Sequence, residues 1–252
     1  MRISVVVPVR NDARLLERCL AALGAQTRPA DEIVVVDNGS EDDTSAVARA
    51  FGARVVHEPV PGIPRAASAG YDEATGDLIA RIDADTVCPP DWLATIEGRF
   101  ATDPSLHFVT GDARFADSPA WLDWIGRRFY IGPMYAWLTP LLGHAPLFGS
   151  NLAMRASSWR ELSAEVHRER RDIHDDLDLA FHVRPWMNVL RDRELIVDIS
   201  ARPLTSPRSF VRHAWWVVTT WQLHGMAEAP WRRRARRRRY SSRRAEAQAV
   251  SS

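Results

Sequence analysis

Two acids spaced i, i+2 end a short apolar run, Ile79-Ala80-Arg81-Ile82-Asp83-Ala84-Asp85-Thr86. If the run is a strand, Asp83 and Asp85 stand where it stops, and in a parallel sheet the carboxyl ends of strands form the ligand crevice. Paired carboxylates there hold a hard divalent cation through oxygen, and that cation can hold a diphosphate. A bare Asp-x-Asp is weak, because a solvated loop pair is the plain alternative. A second acid, Asp37, closes the run Glu32-Ile33-Val34-Val35-Val36, where a simple Asx turn before Gly39 competes with a binding role. A third group, Asp175-Asp176-Leu177-Asp178, opens a predicted helix. Acids there suit the helix dipole, and a carboxylate beside an acceptor hydroxyl can also take its proton. His174 and His182 flank this segment and read as structural or solvent-facing, since no Cys or His cluster with zinc spacing accompanies them.

The elements that must position these acids follow from the pattern. Residues 3–9 are a β-branched run that Pro8 ends, and Asn11 or Asp12 can cap a helix carrying Leu15, Leu16, Cys19, Leu20 and Leu23. Residues 32–37 form a second buried strand. Ser40 with Asp43 gives a capping-box pattern into a helix ending near Gly52. A short strand at 54–57 and a small-residue helix from 65 to 74 lead to the run before Asp83. This alternation with short loops predicts an open, mostly parallel α/β sheet of βαβ units with helices on both faces. Further on, the pattern predicts a strand at 107–115, a turn and strand at 149–155, a charged helix at 157–170, a strand at 195–199 and a C-terminal helix at 206–225. Between them, residues 119–142 are dense in aromatics, interrupted by Gly132-Pro133 and Pro140, and too broken and charged to span a bilayer as one helix.

Composition sets outer bounds. The chain has 252 residues, enough for one full core without disulfide staples. Cys19 and Cys88 read as reduced thiols, and residues 3–7 are too short for a secretory h-region, which points to the cytoplasm. From Trp231 onward there are nine Arg and one Glu, while the first 230 residues carry 24 Arg against 31 acids. A mildly acidic body thus ends in a basic tail at 231–252, expected to be disordered.

Taken in order, these pieces resemble the family 2 glycosyltransferases. Val5-Val6-Val7-Pro8-Val9-Arg10-Asn11 resembles their opening strand and turn. Val35-Val36-Asp37-Asn38-Gly39-Ser40 is similar to their Val-Asp-Asp-Gly-Ser signature, with Asn38 in place of the second Asp. Arg65-Ala66-Ala67-Ser68-Ala69-Gly70 resembles their Arg/Asn/Gly helix start, and Asp83-Ala84-Asp85 falls where their metal-binding Asp-x-Asp belongs. Gly149-Ser150-Asn151 resembles their acceptor-side Gly-x-Asn. Asp175-Asp176-Leu177-Asp178-Leu179 resembles Glu-Asp-x-Asp-Leu, with Asp175 in place of Glu. The Gln-x-x-Arg-Trp of processive members is not evident; Ser206-Pro207-Arg208-Ser209-Phe210 stands roughly there, which favours addition of one sugar.

The resemblance implies a GT-A-like fold with a nucleotide-sugar-binding half at 1–105, an acceptor half at 106–205, a membrane-proximal helix at 206–230 and the tail. It implies an inverting, hexosyltransferase-type enzyme using a nucleotide-diphosphate sugar and Mg²⁺ or Mn²⁺. Asp85 would carry the metal most directly, assisted by Asp83. Pro8, Val9, Arg10, Asn11, Asp37, Arg65 and Ala84 would contact the donor. Gly149, Asn151 and Asp175 would face the acceptor, and Asp176 would be the general base. An exposed helix Arg is the plain alternative for Arg65. The acceptor would be a glycolipid, a polyprenyl-linked sugar or a cell-envelope saccharide. The aromatic stretch and the Arg tail fit peripheral contact with an anionic inner leaflet; an aromatic core, an oligomer interface or a solvated tail are alternatives. Nucleic acid is disfavoured by the acidic body and the lack of a binding motif. A nucleotidyltransferase would want a Gly-rich basic loop after the first strand, where this chain has Pro8-Val9-Arg10-Asn11. A silent nucleotide-sugar-binding protein would not need Asp83, Asp85 and Asp176 together.

Overall fold

The computed structural model describes residues 1–202, 207–225, 231–237 and 240. The β-branched runs become the centre of a seven-stranded sheet. Strands β1 (Ile3–Val9), β2 (Glu32–Asp37), β3 (Arg54–His57) and β4 (Leu78–Arg81) are parallel. They are joined by α1 (Ala13–Gly24), α2 (Thr44–Ala50) and α3 (Ile63–Glu73). After α4 (Trp92–Thr102) come β5 (Leu106–Phe115), β6 (Leu152–Arg155) and β7 (Asn188–Ile199), giving the order β3-β2-β1-β4-β6-β5-β7. Strand β6 runs antiparallel between β4 and β5, so a single α/β sheet carries both halves of the chain.

Alternation along β1 supplies two cores. Ile3, Val5 and Val7 pack with Leu16, Leu20 and Trp92 on one face, whereas Val6 packs with Val34, Val36 and Tyr71 on the other. Helix α3 lies so close to the sheet that a Cβ on Gly70 would sit 2.3 Å from Val6 Cγ1. At the amino ends of the strands, opposite the ligand rim, Glu32 accepts hydrogen bonds from the Ser4 hydroxyl (2.6 Å), Thr75 N (3.0 Å) and Arg54 Nη2 (2.8 Å). This network locks β1, β2 and the turn before β4 together.

Several local expectations are corrected. No capping box forms at α2: the Ser40 hydroxyl accepts from Asn11 N, and Thr44 N is capped by Asp42 at 3.1 Å. The aromatic stretch is not broken at Gly132-Pro133. Helices α5 (Ala120–Gly126) and α6 (Gly132–Leu142) join through a π turn at Arg127–Ile131. Pro133 has no N–H to donate, and the wider turn lets the helical path pass it. The helix expected at 157–170 is α7 (Ala156–Leu162) and stops at its last buried leucine. Beyond it the chain runs through short turns such as Glu165 N to Leu162 O and Arg170 N to His167 O, and the Asp178 carboxylate accepts from His167 N at 2.8 Å. The strand expected at 195–199 starts at Asn188, because its charged residues are paired: Arg191 with Asp112 and Asp192 with Arg99.

Helix α8 (Asp175–His182) follows α7, and α9 (Pro207–His224) follows β7. The tail from 231, expected to be disordered, is helical over 231–237. Arg233 is buried there, donating to Leu142 O and Phe181 O at the carboxyl ends of α6 and α8, where unpaired carbonyls and the helix dipole favour a cation. Ser206, residues 226–230 and residues 238–239 and 241–252, which carry the rest of those expectations, lie outside the described residues. Among the described residues no helix is long and apolar enough to cross a membrane.

Candidate active site

The carboxyl ends of β1, β2 and β4 open into a cleft of about 580 Å³, closed on the far side by residues 148–150, the start of α8, the end of β7 and α9. Pro8, Val9 and Arg10 line it from β1, and Asn38 and Ala66 from β2 and α3. Asn11 turns the chain away with a left-handed φ of 52°. Its side-chain oxygen accepts from Glu41 N at 2.7 Å, so it ties the β1 turn to the β2 turn instead of facing the cleft.

Asp37 is buried beneath the rim. Burial works to raise its pKa, but hydrogen bonds from Ser45 and Ser40 outweigh it and hold the carboxyl below its ordinary value. Each oxygen thus already accepts a bond within the β2 turn. The neighbouring Asn38 faces the cleft while its amide clamps Glu58 O, Val60 O and Gly62 N. Arg65 is paired with Glu169 and lies outside the cleft lining.

Asp83, Ala84 and Asp85 do line the cleft. Asp83 accepts from Arg81 Nη2 at 2.9 Å and from the Ser150 hydroxyl at 2.5 Å, so both its oxygens are engaged. Asp85 is less satisfied. Burial, and then the like charge of Asp83, push its pKa up. The Arg202 guanidinium bridges Asp85 (3.0 Å) and Asp12 (2.7 Å). Asp12 and Asp85, bridged by Arg202, and the neighbouring Asp83 form a hard-oxygen set that fits a divalent cation. Asp85 is the acid of this set that could hold such an ion most directly, and Asp12 is an unforeseen neighbour.

Across the cleft, Asp176 accepts from Gly149 N (2.9 Å) and from Leu177 N (2.7 Å). These bonds fix its orientation at the start of α8. Asp175 is pushed up to about 6 by burial, against the pull of the Arg81 guanidinium that contacts it at 2.7 Å. Arg81 is the link between the two sides: it is 3% exposed and holds Asp83 with one nitrogen and Asp175 with another. Gly149 is required beside it, since a Cβ there would lie 2.1 Å from Arg81 Nη1. Asn151 does not face the acceptor space. It is fully buried, accepting from Trp92 Nε1 and donating to Asp112 O and Leu195 O.

Arg81, Asp12, Ser150 and Arg202 were not singled out by sequence reasoning. A charged residue inside the apolar strand Leu78–Arg81 was a visible signal for Arg81; Arg202 gave none, its partners being far away in the chain. His174, read as structural or solvent-facing, takes a place in the cleft wall. It lines the cleft beside Trp216, their rings 5.5 Å apart, and its backbone N donates to Thr220 Oγ1. His182 is not solvent-facing: it sits in a cluster with His167, Asp178 and His224 that sequence spacing did not reveal.

The model of Glycosyl transferase family 2 matches residues 4–157, more than half of the chain. The chain belongs to this family. The matched stretch of the family 2 chain contains Asp37, Asp83, Asp85 and Gly149, and ends before Asp175 and Asp176. Glycosyltransferase AglE of Haloferax volcanii is 33% identical over 125 residues, covering 45% of this chain and 40% of AglE. Undecaprenyl-phosphate 4-deoxy-4-formamido-L-arabinose transferase of Sodalis glossinidius is 34% identical over 131 residues, covering 48% of this chain and 39% of that protein. The matches thus span well under two thirds of these relatives. Glucosyl-3-phosphoglycerate synthase of Mycobacterium tuberculosis, solved with Mn²⁺, UDP and phosphoglyceric acid, has the same fold, with TM-score 0.66 at 21% identity over 89% of this chain and 78% of the solved one. This family 2 chain therefore has a GT-A fold.

Proposed function

We propose that this family 2 chain is an inverting glycosyltransferase moving a hexosyl-type sugar from a nucleotide-diphosphate sugar to an acceptor hydroxyl. The observation that supports it is the facing of two acid groups across one cleft: Asp83 and Asp85 on one wall, Asp176 on the other, joined through Arg81 and Asp175. A Mg²⁺ or Mn²⁺ ion held by Asp85, with Asp83 behind it, would supply Lewis-acid neutralisation of the leaving diphosphate. The Mn²⁺ and UDP bound by the mycobacterial synthase favour that donor chemistry. Pro8, Val9 and Arg10 frame the base, and Asp37 supports the turn beneath it. Asp176, oriented by Gly149 N, accepts the proton of the attacking hydroxyl. Attack from the face opposite the diphosphate inverts the anomeric carbon.

Residues 1–105 would hold the donor and 106–205 the acceptor. A lipid-linked acceptor is favoured by the undecaprenyl-phosphate transferase relative. It is also favoured by Trp121, Trp124, Phe129 and Trp137, which are 61–74% exposed and so do not form an aromatic core. Such rings suit the interface of an anionic leaflet. Flotation with anionic liposomes should carry the chain, and Ser replacements at Trp121, Trp124 and Trp137 should release it; unchanged flotation removes the membrane reading. The test of the reaction is a panel of nucleotide sugars scored by divalent-dependent release of nucleoside diphosphate. Silence with every donor in the presence of Mn²⁺ and an acceptor mixture would sink the proposal.

A further inference from the structure

Behind the cleft wall, four groups from three separate segments converge. His167 comes from the loop after α7, Asp178 and His182 lie one turn apart on α8, and His224 ends α9. Their ligand-type atoms all lie within 4.8 Å of one another. Asp178 is 2% exposed. Its Oδ2 accepts from His167 N at 2.8 Å, leaving Oδ1 to face three ring nitrogens: His167 Nδ1 at 2.8 Å, His224 Nε2 at 2.9 Å and His182 Nε2 at 3.6 Å.

A hydrogen-bonded knot explains only part of this. Two rings reach Asp178 at hydrogen-bond distance, but His182 Nε2 is buried and has no hydrogen-bond partner. A buried polar nitrogen left unpaired is costly. It points at the one place where the other donors converge. The other nitrogen of that ring, Nδ1, faces Glu165 Oε2 at 3.5 Å. This is the arrangement of a metal-bound imidazole, whose outer N–H is turned toward a carboxylate. The spacing fits as well. Ligands about 2.0–2.1 Å from a tetrahedral ion stand about 3.3 Å apart, and the three distances to Asp178 Oδ1 straddle that value.

We propose that His167, Asp178, His182 and His224 form a second divalent-metal site, of the zinc class and structural in role. Three imidazoles and one carboxylate are a nitrogen-rich set that suits Zn²⁺ and disfavours Mg²⁺. It differs in kind from the all-carboxylate set at Asp83 and Asp85. It differs in place too: Asp178 is two residues from Asp176, about 200° around the helix by the 3.6-residue repeat, so the two acids face opposite sides of α8. The ion would join the loop after α7, α8 and the end of α9. Helix α9 is the element that brings Arg212 and Trp216 to the cleft, so the metal would hold the far wall in place. The metal assignment stands on its four ligands; only this last consequence rests on the proposed function.

The full chain, stripped with chelator and then freed of it, is titrated with Co²⁺ alone. One equivalent should give the intense visible absorption of tetrahedral cobalt, displaced by Zn²⁺ and not by Mg²⁺. His182→Ala and His224→Gln should abolish the band, whereas Asp85→Asn should retain it. Zn²⁺ at a hundredfold excess over its Kd should raise the thermal midpoint by about 5–10 °C in the parent chain, with no rise in either His variant. Failure of the parent chain to bind stoichiometric Co²⁺ or Zn²⁺ overturns the site without recourse to any variant. So does an octahedral spectrum, a band that survives His182→Ala in a folded protein, or one lost in Asp85→Asn, which would place the ion in the cleft.

Discussion

The two walls of the cleft are held by different kinds of interaction. On the wall from residues 1–105, Asp37 and Asp83 sit at or just past a strand end and have near neighbours as partners: Asp37 has Ser40 and Ser45, and Asp83 has Arg81 beside the more distant Ser150. On the wall from residues 106–224, partners lie far apart in sequence. Arg81 holds Asp175, Arg202 reaches back to Asp12 and Asp85, and Thr220 holds the backbone of His174. The first wall is set by turns that a short segment specifies; the second exists only once the sheet has closed. Substitutions at Arg81 and Arg202, which reach from one wall to the other, should therefore disturb both, whereas those at Asp37 or Asp176, held on their own side, should act locally.

Arg81 joins the two and should show the largest effect. Arg81→Met leaves Asp83 and Asp175 without their buried cation and should cost about 3–5 kcal/mol of unfolding free energy, read by denaturant titration. A loss below about 1 kcal/mol would mean the walls are independent. Asp176→Asn should lower transfer to acceptor about 10³-fold, about 4 kcal/mol, within the range for a general base. Donor binding, measured by calorimetry, should be unchanged; weakened donor binding would put Asp176 on the other wall's business.

Glu32 tests the first wall's foundation away from the cleft. Its pKa is lowered from 4.5 to about 2; burial opposes the shift and bonds from Ser4, Thr75 and Arg54 outweigh it. Because the folded value lies below the unfolded one, the stabilisation is full above about pH 4.5 and is lost as pH falls toward 2. Glu32→Gln should cost about 1–2 kcal/mol at pH 7 after allowance for solvent screening, and the gap to the parent should close across that acid window. A gap that persists at pH 2 would assign the cost to packing. Arg202→Gln should have the smallest effect on stability, under about 1 kcal/mol, because its pair with Asp85 is half exposed. It should tighten apparent Mn²⁺ affinity by removing the cation that bridges Asp12 and Asp85; weaker Mn²⁺ binding would instead make Arg202 a partner of the bound donor.

The contrast also explains what was legible. The strands at 3–9, 32–37 and 54–57 and the rim position of Asp83 and Asp85 follow from β-branched runs and short loops; the central strands bury both faces, and the edge strand at 54–57 is only half-buried. Asp175 and Asp176 were visible as acids opening a helix. Arg81 carried a faint signal as a charge within an apolar strand. Asn151 misled, because a polar residue in a glycine turn looks equally suited to binding and to bracing; here its amide is spent on Trp92, Asp112 and Leu195. The early start of β7 was hidden because its charged residues pair only across the sheet.

The sequence by itself determined the βαβ order, the carboxylates at the strand ends and the family, since these rest on period-two and helical patterns and on motifs within a few residues. Only the tertiary structure decided that Arg81 joins the two walls, that Arg202 reaches Asp85 and that His167, Asp178, His182 and His224 meet. Each of those depends on burial and on contacts between segments tens of residues apart, and a linear pattern carries no term for either.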